Sequence, residues 1–221
     1  MQNLRYKNKF LNITCDGGAA TGKSTGAKLI AKKLRLSFLS SGLLYRYAGY
    51  LILKHQPKNK INFIKKKFNN LNYSKLNRIN LHTPEISLQS AVVAKKIEIR
   101  KILKLFQKKF IKKNKGCVLE GRDASTKILP NSDVKFFFIC NINIAAKRRF
   151  QELKKNNKNI KLNSVKKALK QRDISDKNRK HSPLKKHKNA IVVDSGKLNK
   201  QDMVAFMLKN INEALKKKYG N

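Results

Sequence analysis

At 221 residues, 40% of them hydrophobic, the chain is long enough for one α/β domain with inserts. Its 53 Lys and Arg against 12 Asp and Glu give a net charge of +41, and no apolar run reaches the length of a helical membrane span. Polar residues interrupt the opening segment, so no secretory signal is expected, and Cys15, Cys117 and Cys140 show neither a C-x-x-C pair nor a zinc spacing; the expectation is buried, reduced thiols in a cytoplasmic protein.

Residues 1–9 are polar and read as loose. The apolar run Phe10 to Cys15 predicts a short buried strand, ended by Asp16. The stretch Gly17-Gly18-Ala19-Ala20-Thr21-Gly22-Lys23-Ser24-Thr25 then fits G-x-x-x-x-G-K-[ST]. Ala27, Leu29, Ile30 and Leu34 carry a helical pattern from about Gly22 to Leu34. A chance match in a chain with ten glycines is the alternative. Strand, Gly-rich loop and helix in succession favour a phosphate site, because loop N–H groups and a helix N-terminus face an anion. Lys23 would reach the β- and γ-phosphates of a nucleotide, and Ser24 would hold Mg²⁺.

Ser37-Phe38-Leu39 predicts a second strand. Ser40-Ser41-Gly42 turns into a helix over about Leu43–Lys54, with Tyr45 and Arg46 in its first turn. An Arg there opposes the helix dipole unless an anion lies between. Residues 55–82 hold Pro57, many Lys and Asn, and scattered Phe63, Ile64, Phe68 and Leu71; they read as a small insert, partly helical and weakly packed. Thr83-Pro84-Glu85 is a helix start: hydroxyl cap, Pro at the first helical position, acid in the first turn. Helix follows to about Lys113, with a break near Lys96, and carries Arg100.

Gly116 to Leu119 predicts a third strand, ending in Glu120-Gly121-Arg122-Asp123. Val134–Cys140 is a fourth, a near-continuous apolar run of the kind found in parallel sheets. A helix from near Ile144 carries Arg148 and Arg149. Residues 154–163 are basic, Asn-rich and read as mobile. A helix over about Ser164–Arg172 leads into Asp173, Asp176 and Arg179. Ala190 to Val193 is the fifth strand, and the last helix, about Lys200–Lys217, puts Val204, Met207, Leu208, Ile211 and Leu215 on one face. Strands alternating with helices imply right-handed crossovers and a parallel sheet covered on both faces.

The basic residues are 43 Lys and 10 Arg, beside 24 Asn. Lys, Asn and Ile belong to A/T-rich codons, and the lysines spread over the whole length. Compositional drift is favoured over a dedicated nucleic-acid surface. Where Lys is the default cation, an Arg points to a need for a planar, bidentate fork.

Five blocks, in order, resemble the cytidylate kinase family of bacterial nucleoside monophosphate kinases, over nearly the whole chain except the insert. Asp16-Gly17 through Gly22-Lys23-Ser24-Thr25 resembles D-G-P-x-G-x-G-K-S/T. Ser41-Gly42-Leu43-Leu44-Tyr45-Arg46 resembles S/T-G-x-x-Y-R. Thr83-Pro84-Glu85-Ile86 with Arg100 resembles T-P-E-V and a downstream Arg. Glu120-Gly121-Arg122-Asp123 resembles G-R-D, and Arg172-Asp173 to Asp176, Arg179 and Ser182-Pro183-Leu184 resembles R-D-x-x-D-x-x-R and S-P-L.

The resemblance implies a three-layer P-loop kinase fold with a five-stranded parallel sheet, a short monophosphate-binding insert and a lid. Its parts would be a core over 10–54 and 83–221, the insert over 55–82, and the lid over about 149–163. It implies ATP at Gly17 through Thr25, with Mg²⁺ at Ser24 and Asp16 behind it. It implies CMP at Ser41, Tyr45, Arg46, Arg100, Arg122, Asp123, Arg172, Asp176 and Arg179. Arg148 and Arg149 would join Lys23 at the transferring phosphate. Seven of the ten arginines fall on these positions, in agreement with the fork argument.

Phosphoryl transfer asks mainly for positioning and positive charge, and a phosphate acceptor needs no strong general base. His55, His82, His181 and His187 are isolated and read as surface residues. The milder readings are an Arg122–Asp123 local salt bridge and an Arg172–Asp176 helix pair. Gly18 and Ala20 depart from the family pattern; Ala20 is expected to stay outside the left-handed region. So do Ser40, His82, Ala124-Ser125 and the order Ser90-Ala91, which would displace a hydroxyl expected near cytosine.

The leading expectation is ATP-dependent phosphorylation of CMP or dCMP by a cytoplasmic monomer. Within enzymes the alternative is a UMP kinase; outside them it is an RNA-binding P-loop protein, for which the guanine-reading N-K-x-D motif is missing. Affinity for RNA or DNA, measured by filter binding, is expected to fall on the order of a thousandfold between roughly 50 and 200 mM salt, with little sequence preference. Tight, sequence-selective binding at the higher salt would put the RNA-binding reading first.

Overall fold

The computed structural model describes residues 10–154 and 159–220. In chain order the elements are β1 (Asn12–Gly17), α1 (Lys23–Lys33), β2 (Ser37–Ser40), α2 (Ser41–His55), α3 (Lys60–Asn69), α4 (Pro84–Lys95), α5 (Ile97–Lys113), β3 (Cys117–Gly121), β4 (Val134–Ile139), α6 (Ile142–Lys154), α7 (Leu162–Asn178), β5 (Ile191–Asp194) and α8 (Lys200–Tyr219). A 3-10 turn spans Tyr73–Arg78 and a π-helical turn Ala124–Ile128. Two compact units result: one of residues up to Leu39 and from Lys115 onward, the other Ser40–Asn114.

The first unit is built on a five-stranded, all-parallel sheet in the order β2-β3-β1-β4-β5. β1 lies at its centre and is buried on both faces, with Ile13 and Cys15 on one and Thr14 and Asp16 on the other. Ile13 and Cys15 are fully buried, and Thr14 is buried with its hydroxyl bonded to that of Ser132 at 3.0 Å. In register, Cys15 lies opposite Glu120 on β3 and Gly17 opposite Phe138 on β4. A Cβ at Gly17 would stand 2.5 Å from the Phe138 carbonyl oxygen, so the loop can leave the strand this close to β4 only from a glycine.

One core joins Ile13, Phe136, Phe138 and Val193 of the sheet to Ala27 and Ile30 of α1 and to Met203, Met207, Ile211 and Leu215 of α8. The four α8 residues recur every fourth position, which draws one stripe along the helix. Val204 and Leu208, expected on that face, flank it half-buried. A smaller cluster packs Ala145 and Ala146 of α6 and Val165 and Leu169 of α7 around Ala19, so these two helices rest on the loop after β1.

The second unit is helical. Ser40 caps α2 by accepting from the Leu43 N–H at 3.3 Å, a task an Asp would also perform. Thr83 caps α4 as its sequence foretells. Lys96 takes an extended backbone between α4 and α5, at the expected break.

Several expectations change. The insert is not weakly packed: Ile64, Phe68, Leu76 and Leu81 are all buried. Ile64 and Phe68 share one face of α3, and Phe68 meets Phe106 of α5 edge-on at 5.9 Å. α7 runs from Leu162 to Asn178, six residues beyond the expected end, so Arg172, Asp173 and Asp176 lie on one helix. β3 extends to Gly121, which puts Glu120 inside the sheet. Cys140 falls just past β4 and is only half-buried. The three thiols are free. The expected looseness of residues 1–9, and residues 155–158 of the expected lid, lie outside the described residues.

Ala20 is the clearest correction. Its φ is +56°, inside the left-handed region that its Cβ was expected to bar. The loop must turn there to bring Gly22 under the start of α1, and the turn overrides the local preference. A left-handed Ala costs roughly 1–2 kcal/mol, and a Gly there loses about 0.5–1 kcal/mol of chain entropy on folding. Ala20→Gly is therefore expected to raise the melting temperature by about 2 °C. An unchanged or lower value in differential scanning calorimetry would speak against strain at this residue.

Candidate active site

In a parallel sheet every strand ends at the same edge, and ligands bind beyond it where the strand order reverses. Here that point is β1, whose neighbours β3 and β4 arrive later in the chain from opposite sides. Gly17 to Gly22 loop out from β1 into α1. Gly22, at the N-cap, sits in the left-handed region with no side-chain cap, so the first N–H groups of α1 are left for an anion.

Lys23 opens α1 but is only 5% exposed. Its ammonium donates to the Gly18 carbonyl at 2.9 Å and pairs with Glu120 at 3.5 Å. Burial, then Arg122, push its pKa down to about 8, and Glu120 works against them. Beside it stands a group of arginines. Arg122, after β3, donates through Nε to Asp176 at 2.9 Å. Arg179 reaches the other oxygen of Asp176 at 3.4 Å and lies 3.9 Å from Asp123. Arg172 is pushed down to about 10, first by burial and then by Arg122 and, more weakly, Arg149. Burial alone would raise the Asp176 carboxyl; Arg122, Arg172 and Arg179 hold it below the ordinary range. Of the local pairings considered from sequence, Arg122–Asp123 gives way: Arg122 bonds to Asp176, 54 residues on, and that carboxylate also meets Arg179 and interacts electrostatically with Arg172.

Arg148 and Arg149 separate. Arg149 pairs with Glu152 at 2.9 Å and belongs electrostatically to the Arg172 group. Arg148 donates to the Ser195 carbonyl at 2.8 Å and its hydroxyl at 3.2 Å. The Ser195 hydroxyl in turn donates to the Thr21 carbonyl at 2.8 Å, so Arg148 braces the phosphate loop from β5. Asp16 is fully buried. Its oxygens accept from the N–H groups of Ala124 and Ser125 at 2.8 and 2.7 Å and from the Ser125 hydroxyl at 2.6 Å. Burial raises its pKa to about 6 against those three donors. Asp16 thus ties the end of β1 to the π-helical turn after Asp123. The Ala124-Ser125 departure from the family pattern supplies the hydroxyl for that tie.

In the second unit, Arg46 donates to the Leu81 carbonyl at 3.0 Å and the Ser87 hydroxyl at 2.8 Å. Arg100 is buried, lies over the Tyr45 ring at 5.3 Å and donates to the Ala94 carbonyl at 3.2 Å. Ser41 is buried in the first turn of α2. The Ser90 hydroxyl turns back to the Ser87 carbonyl at 2.8 Å, inside its own helix.

Sequence reasoning gave no role to Glu120, Asp173, Ser195 or Ser87. Glu120 and Asp173 were in reach: with only 12 acids in the chain, an acid inside a motif block is itself a signal. Ser195 and Ser87 carry no such mark.

A divalent cation fits this donor set. Ser24 presents an exposed hydroxyl at the start of α1, whereas Asp16, Glu120 and Asp176 are engaged with protein groups. Among the described residues no cluster of three His, Cys, Asp or Glu could cage a metal. Mg²⁺ commonly takes one or two protein ligands and completes its shell with phosphate and water, and the Ser24 hydroxyl could be one of them.

A Gly-rich loop at the switch point of a parallel sheet, ringed by Lys and Arg, defines a P-loop kinase. A solved shikimate kinase from Bacteroides thetaiotaomicron shares the fold with a TM-score of 0.51 at 12% identity, covering 94% of this chain and 99% of its own. The cytidylate kinase family model matches residues 13–213, and the chain belongs to that family. It is 36% identical over 209 residues to a cytidylate kinase of Bartonella tribocorum, covering 92% of this chain and 95% of the relative. To a cytidylate kinase of Thermosipho melanesiensis it is 33% identical over 214 residues, covering 92% and 98%.

Lys23 yields a pH prediction. Its folded pKa lies below the ordinary 10.5, so the free protein loses this charge from about pH 8 upward. Bound phosphate favours the charged form and raises the pKa in the complex. Because kcat/KM follows the free enzyme and kcat the complex, kcat/KM is expected to fall above about pH 8 while kcat falls only at higher pH. Coincident alkaline limbs in steady-state profiles would reject this.

Proposed function

We propose that the protein transfers the γ-phosphoryl group of ATP to CMP or dCMP, giving CDP or dCDP and ADP. Membership of the family makes it an ATP-dependent phosphotransferase acting on nucleotides. The observation that carries the finer reading is the mutual crowding of Lys23, Arg122 and Arg172. Each arginine lowers the pKa of Lys23, and Arg122 lowers that of Arg172. Cations kept together at such a cost are suited to anions that arrive from outside: two phosphorylated substrates.

The loop from Gly17 to Thr25 holds the ATP phosphates through backbone N–H groups and Lys23. Ser24 would hold Mg²⁺, which would supply positive charge against the phosphates, with Asp16 behind it fixing the neighbouring turn. Lys23 and Arg149 offset the charge that develops on the transferring group. Arg148 acts one step back, through Ser195 on the loop. Arg122 and Arg172 bind the acceptor phosphate, and Asp176 and Asp123 accept from sugar hydroxyls while keeping Arg122 and Arg179 in place. In the second unit Arg46 and Ser41 bind phosphate, and Arg100, levelled against Tyr45, reads the base. UMP is the second reading, favoured by Ser90, whose hydroxyl faces its own helix and gives cytosine no partner. The free thiols support a reducing, cytoplasmic setting, and a monomer is the working assumption.

A coupled assay of ADP release against CMP, dCMP, UMP and AMP tests the reading. Turnover with CMP and dCMP is expected, and Lys23→Ala should lower kcat at least about a hundredfold. Arg100→Lys keeps the charge but loses the fork, so it should narrow the CMP-to-UMP preference, whereas Arg46→Lys should weaken both alike. Faster turnover of UMP than CMP would select the second reading. Near-normal turnover by Lys23→Ala would remove that residue from the mechanism.

A further inference from the structure

The peptide unit between Gly18 and Ala19 is held at both ends. Its carbonyl oxygen accepts from the Lys23 ammonium at 2.9 Å and from the Thr21 hydroxyl at 3.0 Å. Its N–H donates to Oδ1 of Asp173 at 2.8 Å. Asp173 stands on α7, one residue after Arg172 and three before Asp176. Its carboxylate comes so close because residue 18 has no side chain. A Cβ there would stand 2.8 Å from Oδ2, and the three heavy atoms nearest to it all belong to Asp173. The contact is seated by packing as well, since Ala19 is buried against Val165 and Leu169 of the same helix.

We propose that Asp173 is a positioning residue for Lys23. By gripping the N–H of the Gly18–Ala19 peptide, it turns the carbonyl of that peptide toward the Lys23 ammonium and holds the ammonium over the loop, ready for the phosphates of ATP. A peptide plane is rigid, so fixing its N–H fixes the opposite oxygen. The glycine on one side gives the plane freedom to swing, and the carboxylate removes it. Gly18 and Asp173 work as a pair, one supplying the space and the other filling it. The grip also links the helix that carries Arg172 and Asp176 to the donor loop, so the acceptor-side arginines and Lys23 share one support. This inference rests on the reading of the loop as the ATP site and of Lys23 as its phosphate ligand.

The test is a double-mutant cycle on binding of a non-hydrolysable ATP analogue with Mg²⁺, followed by calorimetry, with kcat and KM measured alongside. Asp173→Ala is expected to weaken analogue binding about tenfold, the loss of a charge-assisted hydrogen bond, and to lower kcat by a similar factor. Asp173→Asn keeps an oxygen that accepts from the Ala19 N–H and should restore binding to within about twofold. Gly18→Ala should match Asp173→Ala, because its Cβ evicts the carboxylate. The double variant should be no worse than either single one, since both remove the same contact. Additive losses, or an Asn variant as weak as the Ala variant, would overturn the proposal. Binding needs no acceptor, so the two readings fail separately. A wild-type protein that binds the analogue but ignores CMP rejects the proposed function and leaves the cycle standing. An additive cycle in an active CMP kinase does the reverse.

Discussion

The phosphate-loop unit depends on a balance of buried charge. Two unit charges 4 Å apart repel by about 4 kcal/mol at the effective dielectric of a protein surface, so Lys23, Arg122 and Arg172 cannot share a buried corner without acids among them. The chain has only 12 acids, and five of them, Asp16, Glu120, Asp123, Asp173 and Asp176, stand at this corner. Most of the others are tied to single local tasks: Glu85 and Asp202 in first turns of helices, Glu152 on Arg149, Asp194 on the Gly196 N–H. In a chain this basic, acids stand where buried cations need them. The pKa of Lys23 is lowered first by burial and then by Arg122, so the charged ammonium is held here at a cost that a phosphate bound as proposed would offset.

The loop and the cap at Thr83 were legible because each is local: a handful of neighbouring residues suffices to define it. What required the structure was any pairing across distance. Asp176 sits four residues from Arg172, which suggests a helix pair, but the chain brings Arg122 from the end of β3 to claim it. The end of α7 was misjudged because beyond Leu169 the sequence offers Lys, Gln, Asp and Asn without an apolar stripe; helix persists there through the charge pairs of Asp176. Ile64 and Phe68 read as scattered apolar residues in a Lys- and Asn-rich stretch, and only the fold, with Phe106 of α5 against Phe68, makes them core. Ala20 failed in the other direction: the local rule was sound, and the required path of the loop overruled it.

The arginines show why composition carried more than net charge. Arg46 holds a carbonyl and a hydroxyl with one nitrogen, Arg148 spreads two nitrogens over Ser195, and Arg122 and Arg179 divide the oxygens of Asp176. Each guanidinium is fixed by protein groups alone. A long side chain already held in place loses little rotamer freedom when a substrate arrives, so more of the contact energy appears as affinity or rate. Lysines have no rigid fork, and most of those in this chain stay on the surface, where solvent screens them.

In the proposed ATP complex, Lys23 is the exception that must move. Arginine forks can keep their protein partners and still offer further N–H groups, but an ammonium resting on the Gly18 carbonyl and Glu120 has to exchange at least one of these for phosphate oxygen. The exchange is favourable because a carbonyl is a neutral acceptor and a phosphate a charged one, and charge-assisted bonds are about twice as strong. It is also short in range, since the carbonyl belongs to the loop whose own N–H groups face the same phosphates. The resting contact therefore holds the ammonium beside the loop, from which the phosphates of the proposed complex can take it over.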